Sequence, residues 1–136
     1  TPPTSPAKPP HPSMSTMTRG ILLFAHGSRD PLWRGPMDAV ARRVAEREPG
    51  TPVRLAFLEL CAPDLPTAGA ELAGLGLAEV TIVPLFLGVG RHAREDLPGL
   101  VQDLREAHPS VRWVLQPTVG EDPRLLDLLA EMALGR

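Results

Sequence analysis

Cysteine is nearly absent: Cys61 stands alone among 136 residues. An intramolecular disulfide is therefore excluded, and a reducing cytoplasm is the expected setting. Long apolar runs are missing as well. No segment approaches the ~20 apolar residues that a membrane-spanning helix requires, so a soluble protein without a membrane partner is expected. Basic excess is also lacking. Lysine and arginine number 14 against 16 aspartates and glutamates, for a net charge of −2 and a pI near 6.0. Such a balance supplies no broad field to attract nucleic acid, so any anionic ligand has to be held locally. Two nucleotide signatures are absent too. No G-x-x-x-x-G-K-[ST] string occurs, and Gly88-Val89-Gly90 lacks both the third glycine and the ribose-binding acid of a dinucleotide site. Neither ATP nor a dinucleotide cofactor is expected.

What is present divides in two. Residues 1–18, TPPTSPAKPPHPSMSTMT, hold six of the 17 prolines, a single charge at Lys8 and little that can be buried. This stretch reads as a disordered proline-rich leader without the apolar core of a secretory signal, and Met14 or Met17 is a candidate translation start. Residues 19–136 are enough for one domain with a core of its own.

From Arg19 onward, apolar runs alternate with amphipathic stretches four times. That alternation predicts an α/β fold: an open, parallel, four-stranded sheet in three layers, with helices on both faces and right-handed crossovers. Expected strands are Gly20 to Ala25, Val53 to Leu58, Val80 to Leu87 and Val111 to Leu115. Pro84 cannot donate to a ladder and belongs near a strand end. The first helix is expected to bury Met37, Val40, Ala41 and Val44. The second starts at the N-cap Asp64 and presents Leu65, Ala68, Leu72 and Leu75. The third presents Leu97, Leu100, Val101 and Leu104, with Asp96 in its first turn. For the last, Asp122 is the N-cap, Pro123 the first residue, and Leu125, Leu128, Leu129 and Met132 the buried stripe. A strand order of 2-1-3-4 places the ends of the first three strands side by side, ~4.8 Å apart, on the rim where ligands bind in such folds.

His26, Glu59 and His92 fall on that rim, each 33 residues from the next. Two imidazoles and a carboxylate can bind a divalent metal and leave positions open for exchange, unlike a closed four-ligand structural site. Each also has an ordinary reading, as a histidine bonding its own loop or an acid reaching water at a strand end. Gly27 permits a sharp turn and close approach after His26, with Ser28 and Arg29 in the following polar loop. Gly88 and Gly90 make a side-chain-poor approach to His92. Arg29, Arg34, Arg91 and Arg94 flank the two histidine loops, where guanidinium groups can grip a substrate bearing several carboxylates. Cys61, Trp33 and Trp113 read as core residues; His11 lies in the leader and His108 at a helix C-terminus.

The strings LLFAHGSRDPLW, FLEL followed by PDLP, and VTIVPLFLGVGRHAREDLP resemble the small sirohydrochlorin cobaltochelatases and ferrochelatases, over Arg19 to Gly135. The resemblance implies a chelatase-like half of a two-domain fold. It further implies insertion of a divalent metal into sirohydrochlorin without ATP, in the cobalamin or sirohaem route, by a homodimer. His26 and His92 match the family's metal-binding histidines, and Glu59 an acid close to the metal. On this reading Co²⁺, Fe²⁺ or Ni²⁺ is a substrate, and no tightly bound cofactor is expected. Ser28, Arg29, Gly88, Gly90, Arg91 and Arg94 are expected to bind the tetrapyrrole. The rival readings are a metal or tetrapyrrole carrier without catalysis and, more remotely, a phosphotransferase with His26 as nucleophile; Ala25 stands where the latter needs arginine.

Overall fold

Alternation along RGILLFA sends Leu22 and Phe24 to one face of a strand and Leu23 and Ala25 to the other, and all four are buried. This strand, β1 (Arg19–Ala25), is therefore covered on both sides. The computed structural model describes residues 18–136. Apart from Thr18, the expected leader, with His11, Met14 and Met17, lies outside the described residues. Strands β2 (Val53–Phe57), β3 (Glu79–Pro84) and β4 (Arg112–Leu115) join β1 in one sheet of order β2-β1-β3-β4, and every neighbouring pair is parallel. Fold and order are as expected. Pro84 is the last residue of β3, the position its missing N–H allows.

Four α-helices follow the strands: α1 (Gly35–Arg47), α2 (Leu65–Ala73), α3 (Arg91–Ala107) and α4 (Pro123–Ala133). Short 3₁₀ turns at Pro31–Arg34 and Val119–Glu121 lead into α1 and α4. On one face, α2 and α3 lay Leu65, Ala68, Leu72, Leu97, Val101 and Leu104 against Leu22, Phe24, Ala56, Val80, Ile82 and Trp113. Each fully buried large apolar side chain there contributes about 1.5–3 kcal/mol relative to exposure. On the other face, α1 sets Met37 and Ala41 against Leu23, Leu55 and Phe57, yet none of its residues is fully buried.

Three helix stripes depart from expectation. Val40 of α1 is exposed, as is Leu75, which lies past the end of α2 at Gly74. No residue of α4 is buried; Leu128 retains 56% of its exposure and Met132 64%. Its caps are as expected, with Asp122 accepting from the Arg124 N–H and Pro123 opening the helix. Periodicity marks which side of a helix is apolar, not what lies against it. A fourth departure concerns α3. It begins at Arg91 on the cap Gly90, so Asp96 falls in the second turn and His92 in the first, and Pro98 is carried in the helix interior. Trp113 is core, whereas Trp33 and Cys61 are only half-buried.

Candidate metal and tetrapyrrole site

All four strands end on one rim, and the loops leaving it carry the candidate residues. Gly27 follows His26 with φ +106°, a left-handed conformation open to glycine. A Cβ at Gly27 would stand 1.8 Å from the Glu59 carbonyl oxygen. The close approach expected at this glycine is therefore made by the β2–α2 loop. Main-chain bonds seal the two loops: the Leu58 N–H donates to the Ala25 carbonyl at 2.9 Å and the Glu59 N–H to the His26 carbonyl at 3.1 Å. The side chains meet in consequence, with His26 Nε2 3.3 Å from Glu59 Oε2. Both side chains are about half exposed, so the pair is rigidly based yet open to a ligand. The His26 ring also stands edge-on to Phe86, centroids 6.2 Å apart and planes at 85°.

His92 is differently placed. It is exposed in the first turn of α3, and among the described residues no three histidine, cysteine, aspartate or glutamate side chains gather at metal-binding spacing. The structure brings His26 and Glu59 together and leaves His92 apart from that pair. Nothing crowds Gly88 or Gly90, where an added Cβ would find open space. Ser28 serves its own loop: its Oγ accepts from the Asp30 N–H, and Asp30 in turn caps the 3₁₀ turn through the Leu32 N–H.

The four arginines divide. Arg34 pairs with Asp38 and lies 4.9 Å over the Phe57 ring, and Arg91 pairs with Glu95 at 3.5 Å. Arg29 and Arg94 form no ion pair among the described residues. Arg29 lines a cleft of about 330 Å³ with Ser28, Trp33, Leu60 and Cys61. Arg94 lines one of about 310 Å³ with Phe86, Val89, Gln116 and Thr118. The larger cleft between α2 and α3, about 590 Å³, is edged by Asp64, Glu95, Asp96 and Asp103. Four carboxylates without a cation repel a polyanion, whereas the cleft at Arg29 sets Arg29 and Arg34 against Asp30 alone and the cleft at Arg94 balances that arginine with Glu121, so charge disfavours the larger cleft. Sequence reasoning missed Phe86 and Thr118, because an aromatic and a hydroxyl inside loops give no periodic signal.

Residues 20–134 match the CbiX family model. The chain belongs to the CbiX family. A sirohydrochlorin cobaltochelatase of Methanosarcina acetivorans is 35% identical over 82 residues, which is 60% of this chain and 63% of that protein. A sirohydrochlorin cobaltochelatase of Sulfolobus acidocaldarius is 28% identical over 84% of this chain and 89% of its own length. A sirohydrochlorin ferrochelatase of Priestia megaterium is 31% identical over 82% of this chain but only 42% of its own. The chain thus spans 63% of the Methanosarcina acetivorans relative, 57% of a Methanothermobacter thermautotrophicus one and under half of the Priestia protein. Among solved structures, a CbiX protein from Marinobacter aquaeolei VT8 superposes with a TM-score of 0.75 at 32% identity, covering 86% of this chain and 95% of that one. SirB from Bacillus subtilis subspecies spizizenii, solved in complex with cobalt, superposes with a TM-score of 0.69 at 25% identity, over 88% of this chain and 51% of SirB.

Proposed function

We propose that this chain inserts a divalent metal into sirohydrochlorin. The observation that carries the reading is the His26–Glu59 pair, an imidazole and a carboxylate 3.3 Å apart on the ligand-binding rim of a CbiX-family fold. The relatives' names supply the substrate class, and SirB with cobalt supplies a metal in a related fold.

The chemistry asks two things of the protein. A divalent ion has to be presented to the ring face, and two pyrrole N–H protons have to leave as the metal enters. Neutral imidazole presents the metal while carboxylate accepts a proton, and the pair offers both. His92, at the start of α3, completes the donor set in the loaded complex. The tetrapyrrole lies across the rim with its carboxylates on Arg29 and Arg94, the two of the four rim arginines that form no ion pair among the described residues, and main-chain amides of Gly88 and Gly90 add neutral donors beside it. No ATP enters this scheme. Histidine and carboxylate accept Co²⁺, Fe²⁺ and Ni²⁺ alike, so metal choice follows supply. Ligation requires unprotonated imidazole, so acid opposes the reaction.

The working form, on this reading, is a homodimer in the cytoplasm. Its support is the apolar side of α4 that the described residues leave uncovered, together with a match to only half of SirB: a second copy supplies what the longer chain carries within itself.

The test is incubation of purified protein with sirohydrochlorin and each metal in turn, followed by absorption. Multiple turnovers with at least one metal are expected. A stoichiometric metal or tetrapyrrole complex without turnover overturns catalysis in favour of a carrier.

A further inference from the structure

Phe86 lies where the loops after β1, β3 and β4 meet. Its ring is buried, edge-on to Phe24 at 5.9 Å and to His26 at 6.2 Å. Its backbone is held from the β4–α4 connection, whose Thr118 also lines the cleft beside Arg94. The Thr118 hydroxyl donates to the Phe86 carbonyl at 2.5 Å and lies 3.3 Å from the Pro84 carbonyl; the Gly120 N–H donates to the same Phe86 carbonyl at 3.0 Å. Thr118 is buried, with 8% of its surface exposed. At Gly120 a Cβ would fall 1.7 Å from the Leu87 carbonyl oxygen, so the two segments touch backbone to backbone. Regular pairing of β3 ends at Pro84, and buried carbonyls just beyond need donors from elsewhere. Thr118 and Gly120 provide them.

We infer that Thr118 is a positioning residue of the metal site: its hydroxyl anchors Phe86, and the Phe86 ring is the wall that orients His26. The inference rests on the reading of His26 as the metal-facing imidazole. The side chain of His26 is half exposed, with Glu59 3.3 Å from one nitrogen and Phe86 edge-on to the ring. Without the wall, the ring loses its edge-on partner and keeps the carboxylate. Groups behind a metal ligand act through its orientation, and their loss typically costs about 10–100-fold in affinity or activity. The same anchor fixes where the β3–α3 loop departs toward His92, so one hydroxyl serves both histidine loops.

Thr118→Val keeps the shape and removes the donor. With Co²⁺ and sirohydrochlorin, kcat should fall about 10-fold with KM for the tetrapyrrole unchanged, while Thr118→Ser recovers most of the loss. In the metal-free protein, proton NMR should show the His26 ring resonances displaced in Thr118→Val as the Phe86 ring current moves. Those of His108, which lies against Trp113 at 6.0 Å, should stay in place. Phe86→Leu keeps the main-chain bonds and most of the apolar volume, and should reproduce both changes. A folded Thr118→Val with wild-type kcat and unmoved His26 signals overturns the inference, as does Thr118→Ser behaving like Thr118→Val. If Thr118→Val does not fold, wild-type kcat in Phe86→Leu overturns it. The two readings fail separately. Full turnover in His26→Ala removes the metal-site assignment, whereas an inactive His26→Ala beside an unaffected Thr118→Val removes only the link through Phe86.

Discussion

The two histidine loops share a rim and differ in almost every physical respect. His26 stands on a loop locked to its neighbour by two main-chain bonds, with Glu59 on one nitrogen and Phe86 against its ring. His92 stands exposed on the first turn of α3, after two glycines with open space around them. One imidazole is preorganised before any ligand arrives, and the other is left accessible. The metal insertion proposed above would gain from that division: a fixed base keeps the reacting geometry, and an open side lets a macrocycle in and out.

Substitutions at the histidines test this asymmetry most sharply. His26→Ala should lower metal insertion by about 10²–10⁴-fold with an unchanged circular dichroism spectrum, and should abolish Co²⁺ binding by the protein without tetrapyrrole. His92→Ala should also abolish insertion yet keep part of that Co²⁺ binding. Equal loss of Co²⁺ binding in both variants would erase the proposed difference between them.

The glycines extend the comparison to stability. Gly27→Ala drives a Cβ into the Glu59 carbonyl at a positive φ, and should cost about 3 kcal/mol or more in denaturant unfolding. Gly88→Ala, in open space, should shift stability by less than about 1 kcal/mol. A similar cost at both positions would mean that the loops are not held differently.

An unequal pair of surfaces recurs away from the rim, where α2 and α3 are closed over the sheet and α4 is not. Leu128→Glu, at a side chain 56% exposed in this chain, should convert a dimer to monomers in sedimentation while leaving the melting temperature of the monomer nearly unchanged. A monomeric wild type would remove α4 as an interface.

The smallest effect concerns helix starts. Hydrogen bonding from the Thr67 side chain, and then from the Thr67 N–H that donates to the Asp64 carboxylate at 2.9 Å, holds the Asp64 pKa below the usual value. A depressed carboxylate stabilises the fold above its unfolded pKa, and the contribution is lost as pH falls through the folded value. Asp64→Ala should therefore cost about 1 kcal/mol at neutral pH and nothing in strong acid. Asp122, lowered to about 2 by its hydrogen bonds to Arg124, follows the same sign, its contribution lost between about 3.9 and about 2. A cost for Asp64→Ala that persists undiminished at pH 2 would contradict the cap.

Local chemistry was legible in the chain: four strands from their apolar runs, two helix starts from Asp64 and Asp122, the strand end from Pro84, and three candidate residues one strand-helix period apart. These features depend on residues within a few positions of one another, or on a repeat that a right-handed crossover turns into adjacency. What lies against what was decided only by the tertiary structure. Gly27 serves the Glu59 backbone, Phe86 backs His26, Thr118 reaches 32 residues back to the Phe86 carbonyl, and the apolar stripe of α4 is uncovered. Contacts of that kind join segments distant along the chain. Their geometry follows from the packing of the sheet and its loops, and no spacing in the sequence encodes it.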